Sequence, residues 1–262
     1  MKALTLTICG LIFFSGCQTA RMASDHPTSA TQSAALDVEA SFDRGIQKKY
    51  SLLNSDVLSD YIRSVLVQIS RKGTSGAILQ KQNIVVRVLS AKKCFLGISP
   101  KNHVYVSLGV LNLLQYENEL GFLLSMALEM RHSGVVQKYY DALGLKPNTS
   151  PEKYFEPDGI FDFGGLEYLK IKKQSLKHLH AAGYDLRGAI TIIDRVFEKH
   201  RDSSAIKLSD VSSFRALWYE PTELKVIMRE EVAKFPPIRD PIVKSREFEK
   251  FLSNVKKINA KI

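Results

Sequence analysis

Residues 104–130 read VYVSLGVLNLLQYENELGFLLSMALEM, and this stretch decides the fold. It opens in a run rich in β-branched and aromatic residues, which predicts a strand that ends near Ser107. From about Gln115 the apolar residues occupy more than one side of a long helical pattern. The stretch therefore predicts a strand, a turn and a central helix that is buried over most of its surface.

The rest of the chain predicts further helices around a small sheet. A second strand is predicted at residues 83–89, and Gly183 suits the left-handed position that ends a helix. Residues 144–165 form a long irregular segment that suits a lid or a surface loop. The other predicted helices lie within residues 40–70, 166–182, 186–200 and 221–233. We therefore expect an α+β fold that is mostly helical.

Residues 1–17 have the features of a bacterial export signal. Lys2 supplies the positive charge, residues 4–14 are mostly apolar, and the segment ends Phe14-Ser15-Gly16-Cys17. This ending resembles a lipobox, so Cys17 is the predicted lipidation site; an ordinary cleaved signal or an uncleaved anchor are the alternatives. Gln18 after the cysteine favours the outer membrane. Residues 18–39 then form a predicted flexible tether, and residues 40–262 a single domain.

The chain is basic, with a formal net charge of +10, but its cations are scattered. The densest group comprises Lys170, Lys172, Lys173 and Lys177, which we interpret as the solvated face of a helix. Contact of this helix with anionic lipid is the alternative interpretation. Nucleic-acid binding is not expected of an exported chain without a recognisable reading motif. Cys94 is the one thiol after the signal region, which excludes an internal disulfide.

Five segments in the order of the chain resemble the HtpX/BepA-like family of zinc metallopeptidases. They are Cys94-Phe95 through Asn102, Val104 through Gly109, Glu117-Asn118-Glu119-Leu120, Ala182-Gly183-Tyr184-Asp185 and Glu220-Pro221-Thr222. The resemblance covers about residues 42–234. It implies a zincin-like metallopeptidase domain, mostly helical, in which a small β-sheet packs on the central helix that carries the H-E-x-x-H motif in active members.

The metal-binding residues of that family are missing from this chain. In the register that the resemblance sets, the two His ligands and the catalytic Glu fall on Met126, Met130 and Ala127, and the third ligand falls on Lys170. A thioether is a poor zinc ligand, Ala cannot accept a proton, and a protonated Lys cannot coordinate. The active relatives hold zinc; for this chain we expect no cofactor and no catalysis at these positions.

A displaced zinc site is the alternative. Glu129 and His132 lie one turn apart in a near match to the motif, as the candidate catalytic residue and candidate ligand. One further ligand would come from Glu167, His178 or His180. Such a site would lie two residues along the helix, a rotation of about 200° away from the original cleft.

Three functions follow as expectations. The leading one is a degenerate, non-catalytic metalloendopeptidase-like lipoprotein, anchored in the outer membrane and facing the periplasm, which binds envelope or outer-membrane proteins during quality control or assembly. The alternatives are an active zinc-dependent metalloendopeptidase with displaced ligands and a purely structural envelope lipoprotein. An open groove beside a free strand edge would favour the leading, protein-binding role, whereas a filled cleft would favour the structural role.

Overall fold

A computed structural model describes residues 40, 43–44, 46–47, 50–72, 84–92, 96–99, 103–134, 165–202 and 221–261. Over these ranges the chain forms seven helices and a three-stranded sheet, so the predicted α+β architecture with mostly helical content is confirmed. The strands are β1 (Val85–Leu89), β2 (Leu96–Ile98) and β3 (His103–Ser107). The helices are α1 (Asp56–Lys72), α2 (Leu108–Leu111), α3 (Glu117–His132), α4 (Gly165–Ala181), α5 (Arg187–Asp202), α6 (Pro221–Ala233) and α7 (Arg246–Asn259).

The sheet has the order β1-β3-β2, with β3 parallel to β1 and antiparallel to β2. The outer edge of β1 is covered at the C-terminal end of the strand, because Leu53 N–H donates to the carbonyl of Val88 at 2.8 Å and Leu52 forms an isolated bridge with Leu89. All residues of β2 are buried. Neither outer strand therefore presents exposed apolar side chains in a row.

Helix α3 lies at the centre of the domain, as its apolar pattern predicted. Every residue from Glu117 to Met130 is buried. This helix packs most extensively against α4, and it also contacts α5, α1 and β2. The predicted packing of a small sheet on the central helix is thus present through β2. Gly183 has φ +86°, which confirms the left-handed position after α4.

Three elements were absent from the sequence-based expectation: helix α2, which falls in the predicted turn, strand β2 and helix α7. Strand β2 falls in the predicted loop between two strands, and it is only three residues long. Helix α7 comes after the proline-rich segment near the end of the chain, where no element was predicted. Its N-cap is Ser245, whose side chain accepts a hydrogen bond from the Phe248 N–H. The buried side chains Phe248, Phe251 and Val255 hold it on the domain.

Several predictions fall outside the described residues. These are the export signal with its lipidation site Cys17, the tether, Cys94, Glu220 and nearly all of the irregular segment 144–165. Within the described helices, none is both long enough and apolar enough to cross a membrane.

Candidate functional site

A buried carboxylate, Glu119, fixes the start of α3. It accepts hydrogen bonds from the backbone N–H groups of Gln115 at 2.8 Å and Tyr116 at 3.0 Å, and from the hydroxyl of Thr191 at 2.6 Å. The guanidinium of Arg195 pairs with both of its oxygens. Glu119 is fully buried and carries a complete set of donors, so its role is to join α3 to α5.

A second carboxylate on the same turn, Glu117, joins α3 to two other parts of the domain. Its oxygens accept from the hydroxyl of Tyr184 at 3.2 Å and from the Ser245 N–H at 2.9 Å. Burial, and then the charge of Glu117, raise the pKa of Tyr184 and Tyr61 above the usual tyrosine range. The hydroxyl of Tyr184 thus serves as a hydrogen-bond donor to Glu117 in the interior of the domain.

The three positions of the missing zinc motif lie in the hydrophobic core. Met126 is 3% exposed, Ala127 1% and Met130 5%. They belong to one cluster of buried apolar side chains that includes Phe122. Since thioether and methyl groups fill these positions, the chemistry required to bind zinc or activate water is missing here. The residues present do not fit the metal.

The third-ligand position on α4 does not supply a carboxylate. Lys170 is exposed, whereas Lys172 is 2% exposed. Lys173 forms an ion pair with Glu231 at 2.7 Å. The interpretation of these lysines as one solvated face is therefore wrong, because Lys172 points into the packed side of α4. Burial lowers the pKa of Lys172 to about 7.

The residues of the displaced site are divided between two environments. Glu129 Oε2 lies 2.9 Å from His178 Nε2, and both side chains are buried. His132, one turn along α3, is exposed to solvent. His180 Nε2 lies 2.9 Å from the carbonyl oxygen of Pro236. Glu129 and His132, which a displaced site would bring together, thus lie in different environments: Glu129 is buried against α4, while His132 is exposed.

Among the described residues, no group of three or more His, Cys, Asp or Glu side chains converges to hold a metal ion. The pair of Glu129 and His178 supplies two such groups. A catalytic zinc site needs three protein ligands and an open position. What this pair does in the described structure is link α3 to α4 through a buried polar contact.

A small groove lies between the end of α4, the start of α5 and residues 232–241. Its volume is about 250 Å³, and its lining includes Phe235, Pro236, Pro237 and the ion pair of Asp185 with Arg187. Pockets for drug-sized ligands start at about 300 Å³. The groove is mostly apolar, and it lies beside His180 rather than beside the motif positions of α3.

Neither a protein-family profile nor a curated protein sequence matches this chain. The chemistry of the residues themselves is therefore the basis for interpreting the site.

Sequence reasoning placed His178 among the possible further ligands of a displaced site with Glu129 and His132. It did not single out the contact of His178 with Glu129, because the two residues are 49 positions apart. It also missed the contact of Arg195 with Glu119. The one signal in the sequence was that Thr191 and Arg195 are spaced one helical turn apart, so that both could reach the same partner. The burial of Lys172 had no signal in the sequence, since Lys170, Lys173 and Lys177 beside it are of the same type.

Proposed function

We propose that this chain is a non-catalytic, metallopeptidase-like envelope lipoprotein that acts by binding other envelope proteins. One observation carries the loss of catalysis: Met126, Ala127 and Met130 are apolar and buried where the zinc motif would be. The predicted lipid anchor at Cys17 supports the location, and the family resemblance supports the choice of partners. The chain would act in quality control or assembly at the periplasmic side of the outer membrane.

The described fold is compatible with a zincin-like frame. A strand precedes a central buried helix, β2 packs on that helix, and α4 lies along it at the place of the third-ligand helix. This arrangement agrees with the order of segments in the resemblance, and it therefore supports the proposal that the domain is metallopeptidase-like. Fold likeness alone does not carry a function over, so the protein-binding role depends on direct binding experiments.

A displaced zinc site is less well supported than a non-catalytic role. Glu129 already contacts His178 across the interface of α3 with α4, while the exposed His132 lies outside this contact. An active enzyme would need Glu129 and three ligands around one solvent-accessible metal.

A purely structural role is the second candidate, and a specific observation favours it. The motif positions are filled, and Leu96 and Ile98 of β2 are 5% and 2% exposed. The cleft that binds extended substrates in active relatives would lie between α3, which carries the motif positions, and β2. If the chain binds envelope proteins, it would therefore have to bind them on another surface of the domain.

The first experiment measures metal and proteolysis on the full chain, purified in detergent without chelator and then incubated with zinc. We expect far less than one zinc per chain by elemental analysis, and no cleavage of an unfolded protein substrate. About one zinc per chain, lost on changing Glu129→Gln or His132→Ala, would overturn the non-catalytic assignment.

The second experiment separates binding from a structural role. A urea-denatured outer-membrane β-barrel protein is diluted onto vesicles that carry the full chain, and its aggregation is followed by light scattering. We expect slower aggregation than with empty vesicles, in proportion to the amount of chain. Equal aggregation in both samples, together with the absence of zinc, would assign the structural role instead.

A further inference from the structure

Helix α7 carries a line of cations on the side that faces away from the domain. Its buried residues Phe248, Phe251 and Val255 define the inner side. Tyr61 of α1 stacks on Phe251 with ring centroids 4.6 Å apart, so the orientation of the helix is fixed by packing. Phe248 lies 6.2 Å from the same ring. The opposite side of α7 is therefore held towards solvent.

The cations on that side are Arg246, Lys250, Lys257 and Lys261, all of them exposed. At about 100° per residue they fall within about 60° of arc, and at about 1.5 Å per residue they extend over about 22 Å. Lys261 comes after the last helical turn and keeps its direction, because Ala260 has φ −71° and ψ −15°. We call these four residues the cationic stripe.

Within the described part of the chain, no carboxylate forms an ion pair with a residue of the cationic stripe. Glu249 pairs with Lys244 instead, at 3.1 Å, and Glu247 lies outside the arc. From Lys250 to Lys261 the sequence contains no acidic residue at all. The stripe is thus a continuous positive surface.

Helix stability explains only part of the stripe, since Lys257 lies in the last turn of α7, where a cation is favoured. Cations favour the last turn of a helix, but Arg246 occupies the first, where the positive end of the helix dipole opposes it. Arg246 and Lys250 are like charges four residues apart in the helix, which weakens it. Helix stability therefore does not account for Arg246 and Lys250.

We infer that the cationic stripe of α7 docks on the anionic headgroups of a lipid bilayer. A straight row of exposed cations on a rigid helix matches a flat surface of negative charge, and each cation near such a surface shifts the equilibrium about fivefold. The predicted anchor and the tether of residues 18–39 would keep the domain close to a bilayer. This docking goes beyond the proposed function and does not depend on whether other proteins are bound.

The structure also removes the surface that the sequence suggested for this role. Lys172 is buried and Lys173 is paired with Glu231, so within the described residues α4 retains Lys170 and Lys177 as its exposed lysines. Two cations separated by about two helical turns form a much weaker electrostatic surface than the stripe.

The test places a fluorophore on α7 in the full chain. Ser253 is exposed and lies between Lys250 and Lys257. Ser253→Cys is labelled in the lipidated chain with Cys94→Ser, in which the signal with Cys9 is removed and Cys17 carries the lipid. The chain is reconstituted into vesicles of phosphatidylcholine that carry a spin-labelled headgroup quencher. One set of vesicles also contains about 30 mol% phosphatidylglycerol, which gives the surface a negative potential. We expect at least threefold stronger quenching in the anionic vesicles at low salt, and its loss in high salt, where the Debye length falls to a few ångströms.

Two variants decide the result. Arg246→Glu, Lys250→Glu, Lys257→Glu and Lys261→Glu together should reduce the quenching to the level of neutral vesicles. The matched control reverses four other exposed cations, Lys92, Lys170, Lys177 and Arg229, and should keep it. Circular dichroism verifies that both variants are folded, and a variant that is not is replaced by its Gln counterpart.

Equal quenching in neutral and anionic vesicles would overturn the inference. So would loss of quenching in the control variant but not in the stripe variant, which would move the contact to the surface that carries the control cations. If the stripe served an acidic protein instead of lipid, the label would remain unquenched in both kinds of vesicle.

Discussion

Nε2 of His178 lies 2.9 Å from Oε2 of Glu129, across the interface of the central helix α3 with α4. The two residues are 4% and 7% exposed. A polar pair at this depth stabilises the domain only while both partners are present, because either group alone would be left buried without its hydrogen bond. The contact turns the one motif-like glutamate of α3 into a structural residue.

Removing either member of this pair should destabilise the domain. We expect His178→Ala and Glu129→Ala each to lower the free energy of unfolding by about 3 kcal/mol. Glu129→Gln should cost only about 1 kcal/mol, since an amide still offers the imidazole a hydrogen-bond partner. Chemical denaturation followed by circular dichroism measures these differences.

His132→Ala is the matched control for that series, because His132 is exposed and lies on the same helix. Its effect should stay within about 0.5 kcal/mol. A double-mutant cycle between Glu129 and His178 that gives no coupling energy would contradict the assigned contact.

Restoring the zinc motif should fail to restore an enzyme. The combined change Met126→His, Ala127→Glu and Met130→His places three polar groups in the core at positions that are 1–5% exposed. With no partner for these groups, we expect a loss of at least about 3 kcal/mol in the free energy of unfolding.

The same variant should not gain a catalytic zinc site, because in the register of the resemblance Lys170 falls at the position of the third ligand. Elemental analysis and a peptidase assay verify this. Stoichiometric zinc with measurable peptidase activity in the triple variant would show that the cleft is more open than the burial of its residues indicates.

Two glycines should respond differently to the same substitution. At Gly188 an added Cβ would lie 2.6 Å from the Cγ and 2.7 Å from the backbone carbon of Asn118. Backbone cannot yield easily, so Gly188→Ala should lower the free energy of unfolding by about 3 kcal/mol. At Gly121 the nearest atom is the Cδ1 of Leu179, at 2.9 Å.

That contact is with the end of a flexible side chain, and alanine favours a helix interior by about 1 kcal/mol over glycine. Gly121→Ala should therefore change stability by about 1 kcal/mol or less. Thermal melts of the two variants measure the contrast, and an equal loss in both would contradict the close approach of α5 to α3 at Gly188.

Lys172 should make the domain more stable as the pH rises from 7 to 9. Burial lowers its pKa from 10.5 to about 7 in the folded protein. Between these two pKa values the unfolded chain binds more protons than the folded one, so raising the pH favours folding. The gain over this window is about 2 kcal/mol, measured by denaturant unfolding at each pH.

Lys172→Met should remove this gain, whereas Lys170→Met, at an exposed position of the same helix, should leave it intact. A slope that is unchanged in Lys172→Met would mean that another group titrates in this window.

Local patterns were sufficient to predict most elements of the fold. The apolar residues of α3 indicated a buried helix. Gly183 indicated the end of α4, and Pro221 indicated the start of α6. Strand β2 was missed because three residues are too few to show a period, and their strand conformation depends on pairing with β3. The helical spacing of apolar residues in α1 predicted that Val57 is part of the buried side, but its side chain is 60% exposed. The spacing of apolar residues does not by itself show where the buried side of a helix ends.

Helix α7 shows a different kind of omission. Its apolar residues Phe248, Phe251 and Val255 have helical spacing, and Ser245 is a good N-cap, so the signals were present in the sequence. The proline-rich segment before them marks the end of α6, and the short stretch beyond it was not predicted to return to a helix. The cationic stripe could then be recognised only when packing on Tyr61 showed which side of α7 is outward.

The sequence by itself determined which chemistry is missing: with Met126, Ala127 and Met130 in the predicted register, no fold can supply imidazole or carboxylate at those positions. Only the tertiary structure decided which of the remaining polar groups meet. It paired Glu129 with His178, buried Lys172 and exposed the stripe of α7. Residue type fixes what a side chain can do, but its burial and its partners depend on packing between elements that are distant in the chain.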